Sequence, residues 1–142
     1  MHQWSGDLCI GNLEVDCQHK ALFSIAQKVD NIIKDCNSHP YKKNDMERKH
    51  RTLIELLKYL KSYAIKHFET EEQFQRDIQY KGYWEHKKIH ENFAVKIDQM
   101  EQKIFERNCN GECVEDFLDW FSDWLYNHIM REDQKLIDDK KL

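Results

Sequence analysis

The chain has one proline, four glycines and no long apolar run. So few breakers leave little room for turns, which predicts a mostly helical protein of long segments. Even the apolar stretch TLIELLKYL is interrupted by Glu55 and Lys58, far short of the length a bilayer needs. Basic residues are outnumbered by acidic ones, 22 to 26, and are scattered along the chain. That pattern excludes a basic patch for nucleic acid or an anionic membrane surface. The N-terminus, MHQWSGDLCI, lacks a basic segment followed by an apolar one, so the expected location is cytoplasmic. Cysteines stand at 9, 17, 36, 109 and 113, an odd number that predicts reduced thiols in a chain without an export signal. Cys109 and Cys113 lack the second pair that a structural zinc site requires.

What is present is helical periodicity. With 142 residues the chain fits one domain with a single core. Residues 1–15 mix Trp4, Leu8, Ile10, Leu13 and Val15 with turn formers and show no helical period, which predicts an extended arm anchored by Trp4. The breakers Gly6, Gly11, Pro40, Gly82 and Gly111 then set off four helical segments over 16–136, followed by a tail at 137–142. The first is expected to begin near Asp16 as a cap and to end near Cys36. Asn44 and Glu47 resemble a capping box for the second, and Asn110 and Gly111 a stop for the third, near Asn108. Short loops between amphipathic helices predict an all-α, up-down-up-down antiparallel four-helix bundle.

Polar residues occupy positions on the apolar stripes. In the first helix Leu22, Ala26, Val29 and Ile33 continue backwards onto His19. The second runs Leu53, Leu57, Leu60, Ala64, His67, Glu71, Phe74, and the third His86, His90, Phe93, Ile97, Met100, Ile104. In the fourth, Val114, Phe117, Phe121 and Trp124 finish on His128. His19 and the His86/His90 pair lie near helix starts, whereas His67, Glu71 and His128 lie near helix ends. An antiparallel bundle brings all of them to one end and one height. A lone histidine on an apolar stripe is ordinarily a hydrogen-bonded core residue. Five histidines and a glutamate in one layer are different, since each unpaired buried group costs roughly 1–3 kcal/mol. A metal supplies a common partner. His2, His39 and His50 fall outside the layer and are read as solvated.

The segments VDCQHKALF (15–23), HFETEE (67–72), HKKIH (86–90) and HIMRED (128–133) closely resemble the hemerythrins, in particular the bacterial single-domain members. The resemblance runs from Trp4 to about Asp133 and holds at every ligand position. It implies two non-haem iron ions. His86, His90 and His128 would bind one and His19 and His67 the other, with Glu71 and Asp133 bridging both. Glu72 is not a ligand in the family and is expected to be a surface charge. Asp133 follows His128 by five residues, a rotation of about 140° away from it on a regular helix. The helix is therefore expected to be irregular somewhere in Ile129–Glu132.

Two six-coordinate ions offer about twelve positions. The histidines, two bridging carboxylates and a solvent-derived bridge would fill about eleven, leaving about one on the ion with two histidines. The resemblance implies that O2 binds reversibly there, for storage, delivery or sensing. Phe23, Phe68 and Trp124 are candidates for a dry pocket around it. The alternatives are a di-iron redox enzyme, or a sensing module acting through a separate protein partner. Ferritin-like enzymes use two Glu-x-x-His strings. Here the single string, Glu47 to His50, lies roughly four to five helical turns before the layer. Tyr80, Tyr83 and Trp84, around the expected turn at Gly82, are either loop packing or a partner surface. A monomer is the expected state.

Overall fold

The structure, a computed structural model, describes residues 1–38, 43–106 and 111–140. Four helices make up the body: α1 (Leu13–Ser38), α2 (Lys43–Asp77), α3 (Tyr83–Glu106) and α4 (Gly111–His128). Each packs on the next and α4 packs back on α1, closing an up-down-up-down bundle. A π-helical turn, Ile129–Asp133, leads from α4 into a short α5 (Lys135–Lys140), so the expected tail is helical where described. Among the described residues there is no strand, and no helix is long and apolar enough to cross a membrane.

The stripes read from the sequence are the buried faces. Leu22, Ala26, Val29, Ile33, Leu57, Leu60, Ala64, Phe93, Ile97, Val114, Phe117 and Phe121 are all buried in the main core. A smaller apolar cluster of Ile10, Val15 and Leu136, with Phe74, Ile78 and Tyr80 against it, closes the opposite end. The polar layer lies between the two. Burying apolar surface on both sides of it keeps water from its carboxylates and imidazoles.

The arm holds a single 3-10 turn at Gly6–Leu8. Leu8 and Ile10 are its fully buried anchors, with Trp4 only half-buried against the main core. His2, expected to be solvated, stacks on Tyr126 at 4.2 Å and reaches Asp123 at 3.0 Å. His50 is exposed as expected, and His39 lies outside the described residues.

Helix α1 starts three residues ahead of the expected cap. Asn12 caps it, its Oδ1 accepting the Val15 N–H at 3.0 Å. Asp16 instead ties the arm to the helix, accepting the N–H groups of Ile10 and Gly11 at 2.8 and 3.2 Å. The chain reverses at Gly11 with φ +87, which suits a residue without a side chain.

The turn expected at Lys81 and Gly82 is present, directly ahead of α3. Gln79, not Gly82, takes the left-handed conformation, at φ 54. Tyr80 N–H bonds the Gln75 carbonyl at 2.9 Å and Gln79 N–H bonds that of Arg76 at 3.1 Å, a Schellman end. Gly82 is needed for closeness, since a Cβ there would sit 2.8 Å from the Tyr80 ring. Tyr80 packs into the smaller cluster, whereas Trp84 is 75% exposed. Gly111, expected to stop α3, opens α4. Helix α2 begins at Lys43, so Asn44, expected as its cap, lies within the helix, and the end of α3 at Asn108 lies outside the described residues.

One thiol expectation is overturned. Cys9 and Cys17 are free, but Cys113 is disulfide-bonded. Pairing depends on two Cα atoms approaching within about 7 Å, which spacing along the chain does not reveal.

Candidate metal centre

All seven residues named from the sequence and the resemblance meet in one buried cluster, none more than 6% exposed. His19 comes from the second turn of α1, His67 and Glu71 from one face of α2, His86 and His90 from the first turns of α3, and His128 from the last turn of α4. Asp133 reaches the cluster because the chain widens after His128. The Gln134 N–H closes an i→i+5 bond to the Ile129 carbonyl at 3.0 Å. This π-turn brings residues five apart onto one side. His128 Nε2 and Asp133 Oδ1 stand 3.1 Å apart as a result.

The two carboxylates divide their oxygens between two histidine groups. Glu71 Oε1 faces Nε2 of His86, His90 and His128 at 2.8, 3.4 and 3.9 Å. Its Oε2 faces Nε2 of His67 and His19 at 3.2 and 3.4 Å. Asp133 repeats the division, with Oδ1 3.0 Å from His86 and Oδ2 3.2 Å from His19. Three imidazoles thus gather on one side of the carboxylate pair and two on the other. All five rings present Nε2 inwards.

The four carboxylate oxygens are buried and have no hydrogen-bond donor in proper geometry. Buried charges left so are ordinarily paired or coordinated to a metal. The set of nitrogen and oxygen donors suits a borderline or hard divalent ion such as iron. The residues present therefore fit a metal pair.

The electrostatics of the metal-free cluster follow from crowding. Burial lowers the pKa of His19, but Asp133 and Glu71 outweigh it and raise it to about 9. His86 is likewise opposed by burial and raised by the same carboxylates to about 10, and His128 to about 9. His67 is lowered by burial, which its neighbour Glu71 only partly offsets. Burial works to raise Glu71 and Asp133, yet the surrounding imidazoles hold both well below the usual carboxylate range. Glu71 and Asp133 thus favour the imidazolium form of His19, His86 and His128 in the metal-free cluster.

The outward nitrogens of two rings are held by residues that sequence reasoning dismissed or passed over. Glu72 is not a surface charge. Its Oε2 lies 3.1 Å from His90 Nδ1, because a residue one place past Glu71 turns about 100° around α2 and meets α3. Gln18 Oε1 accepts from His67 Nδ1 at 2.7 Å, and its amide nitrogen donates to Thr70 at 3.2 Å. These bonds put the ring protons on Nδ1 and leave Nε2 for a metal. The only sequence signal for Gln18 was its place beside His19, off the apolar stripe.

Aromatic rings wall the three-histidine side. Phe68 stacks on His90 at 4.0 Å and Trp124 on His128 at 4.5 Å. Phe23, the third candidate, is buried in the main core and borders a surface groove with Trp4 and Lys20.

The fold and this cluster define a helical-bundle protein with a buried site able to hold metal ions. The profile of the hemerythrin HHE cation binding domain matches residues 13–138. The chain belongs to the hemerythrin family. It is 28% identical to a bacteriohemerythrin of Clostridium acetobutylicum, over 97% of this chain and the whole of that protein. A bacteriohemerythrin of Pseudomonas paraeruginosa is 27% identical, over 95% of this chain and 78% of its own length. A hemerythrin-like protein of Naegleria gruberi is 25% identical, over 93% and 87%.

Proposed function

We propose that this chain binds O2 reversibly at a non-haem di-iron centre. His86, His90 and His128 hold one iron, His19 and His67 hold the other, and Glu71 and Asp133 bridge them. The observation that carries the reading is the unequal division of histidines about the carboxylate pair, three on Glu71 Oε1 and two on Oε2. A side one ligand short has room for one small exogenous molecule. Family membership favours the same reading.

When bound, the iron pair supplies an open coordination position and the electrons that dioxygen chemistry draws on. The chain's own residues do the rest. Glu71 and Asp133 span both positions and hold the two groups at a fixed separation. Gln18 and Glu72 keep the imidazoles of His67 and His90 oriented through Nδ1. Phe68 stacks on His90 and also stands 5.9 Å from the His67 ring, so it excludes water next to the two-histidine side as well, while Trp124 covers His128. Histidine-rich ligation with a single vacancy favours binding over oxidative catalysis, so the chain acts as an oxygen carrier, store or sensor and not as an enzyme.

The test is visible absorption of the iron-loaded, reduced protein through cycles of air and deoxygenation, with metal analysis alongside. Two irons per chain and a band that appears with O2 and fades on its removal are expected. Irreversible oxidation with consumption of O2 or peroxide would replace the carrier reading with a redox enzyme or sensor. Absence of iron uptake would sink the ligand assignment.

A further inference from the structure

Gln75 is fully buried, and neither atom of its side-chain amide has a hydrogen-bond partner. A buried amide without partners is an unfavourable thing to keep in a core. In the same layer, His86 Nδ1 is buried and also without a partner. His86 is one of the five inward-facing rings, and a metal-ligating histidine almost always donates its other ring N–H to an acceptor. His67 and His90 have theirs in Gln18 and Glu72. The ring of His86 lacks an acceptor, and Gln75 has an acceptor to give.

Helix geometry brings the two together. Gln75 follows Glu71 by one turn, about 6 Å along α2 and about 40° around it. That rotation is toward the face of Glu72, which meets His90 on α3. His67 is rotated by the same amount the other way, toward Thr70 and Gln18 of α1. Gln75 is thus inclined to α3, on which His86 lies, and away from His19, whose Nδ1 is also without a partner. Tyr80 links both residues. Its N–H bonds the Gln75 carbonyl at 2.9 Å, and its ring stands edge-on to His86 at 6.4 Å.

We propose that Gln75 is a positioning residue of the metal centre, its Oε1 accepting the Nδ1–H of His86 once Nε2 binds metal. The role rests on the metal-centre reading above. In the metal-free chain the carboxylates hold the His86 ring through Nε2. Metal binding fixes the ring through the same atom and leaves one proton, on Nδ1, that only an acceptor can satisfy. An amide oxygen serves; an apolar side chain at this position does not.

The test uses the full chain loaded with Zn(II), a diamagnetic probe, and follows imidazole Nδ1–H signals by nitrogen-proton NMR. Gln75→Met, similar in length, is expected to expose one further Nδ1–H to solvent exchange while those of His67 and His90 stay protected. Zn(II) affinity falls about 10- to 100-fold, yet the metal-free form melts at a higher temperature because the partnerless amide is gone. Gln75→Glu, which keeps an acceptor, preserves the slow exchange. An unmoved set of Nδ1–H signals in Gln75→Met, or a Gln75→Glu variant that behaves like Gln75→Met, would overturn the role of Gln75 while leaving the metal centre standing. A wild-type chain that takes up no Zn(II) or iron would overturn the metal-centre reading and this role with it.

Discussion

Glu72 Oε2 lies 3.1 Å from His90 Nδ1, reaching from α2 to α3 beside the very residue that faces the inner nitrogens of five histidines. Two adjacent glutamates on one helix therefore do different work. Glu71 points into the cluster and Glu72 braces one of its rings from behind. Glu72→Ala is expected to weaken metal binding about 10- to 100-fold, with Glu72→Gln, which retains an acceptor, losing less. Competition titration against a chelator of known affinity measures both. Equal losses would show that charge, and not the acceptor, is what matters at Glu72.

Metal loading is expected to release protons. With His19 and His128 at about 9 and His86 at about 10, all three rings are protonated near neutrality, whereas His67 is not. Their Nε2 atoms must be bare to bind metal. Filling the site at pH 7 should liberate about three protons per chain, measurable as pH-stat uptake or as the buffer dependence of the calorimetric enthalpy. Apparent affinity rises with pH accordingly. Release of none would mean that the histidines are neutral before metal arrives.

The same shifts set the stability of the metal-free protein. A histidine raised from 6.5 to about 9 or 10 contributes stability that is fully present below 6.5 and lost as pH climbs through its folded value. Glu71 and Asp133, both lowered, contribute above the ordinary carboxylate range and lose that contribution in acid, and His67, also lowered, acts in the same direction. Thermal melts of the metal-free chain should be highest in weakly acidic solution and fall progressively from pH 7 to 10. In the loaded protein, whose rings carry no Nε2 proton, that alkaline fall should vanish. Parallel profiles for the two forms would contradict the assignment.

Shortening the π-turn tests why the helix is irregular there. Met130 is exposed, so its deletion removes one residue from Ile129–Asp133 without emptying the core. The turn tightens to α, and the aspartate, now four residues past His128, stays within about 40° of it on the cluster's face. Metal content is expected to stay near that of the wild type, whereas Asp133→Ala, which removes the carboxylate and keeps the turn, lowers it. A deletion variant that loses its metal while far-UV circular dichroism stays helical would show that the π-turn itself, and not only the face it restores, is required.

Leu60 provides the complementary control. It is fully buried in the main core and takes no part in the cluster. Leu60→Ala should cost about 2–5 kcal/mol of stability, read by denaturant titration. Metal content per folded chain should stay at the wild-type value.

The four amphipathic stripes determined the bundle before any coordinates, because a period of 3.6 residues with four apolar faces and few breakers has few other solutions. They also determined the layer. His19, His67, Glu71, His86, His90 and His128 sit on apolar stripes at heights set by helix direction alone. Asp133 was different, since on a regular helix it points away from His128, and its place came from the resemblance. Only the tertiary structure decided how that conflict is resolved, by a π-turn closed from Gln134 to Ile129. It also decided the residues one step off the stripes. Gln18, Glu72 and Gln75 look like surface or incidental polar positions in sequence, because periodicity reports which face is buried and not which neighbour a side chain meets there. The ends of helices were legible only as neighbourhoods. Asn12 holds the capping role expected of Asp16, Gln79 closes α2 ahead of the turn at Gly82, and Gly111, expected as a stop, opens α4, since a helix end depends on which nearby polar atom reaches a particular N–H or carbonyl. The partnering of Cys113 belongs to the same class, for a disulfide is a fact of distance between chain segments.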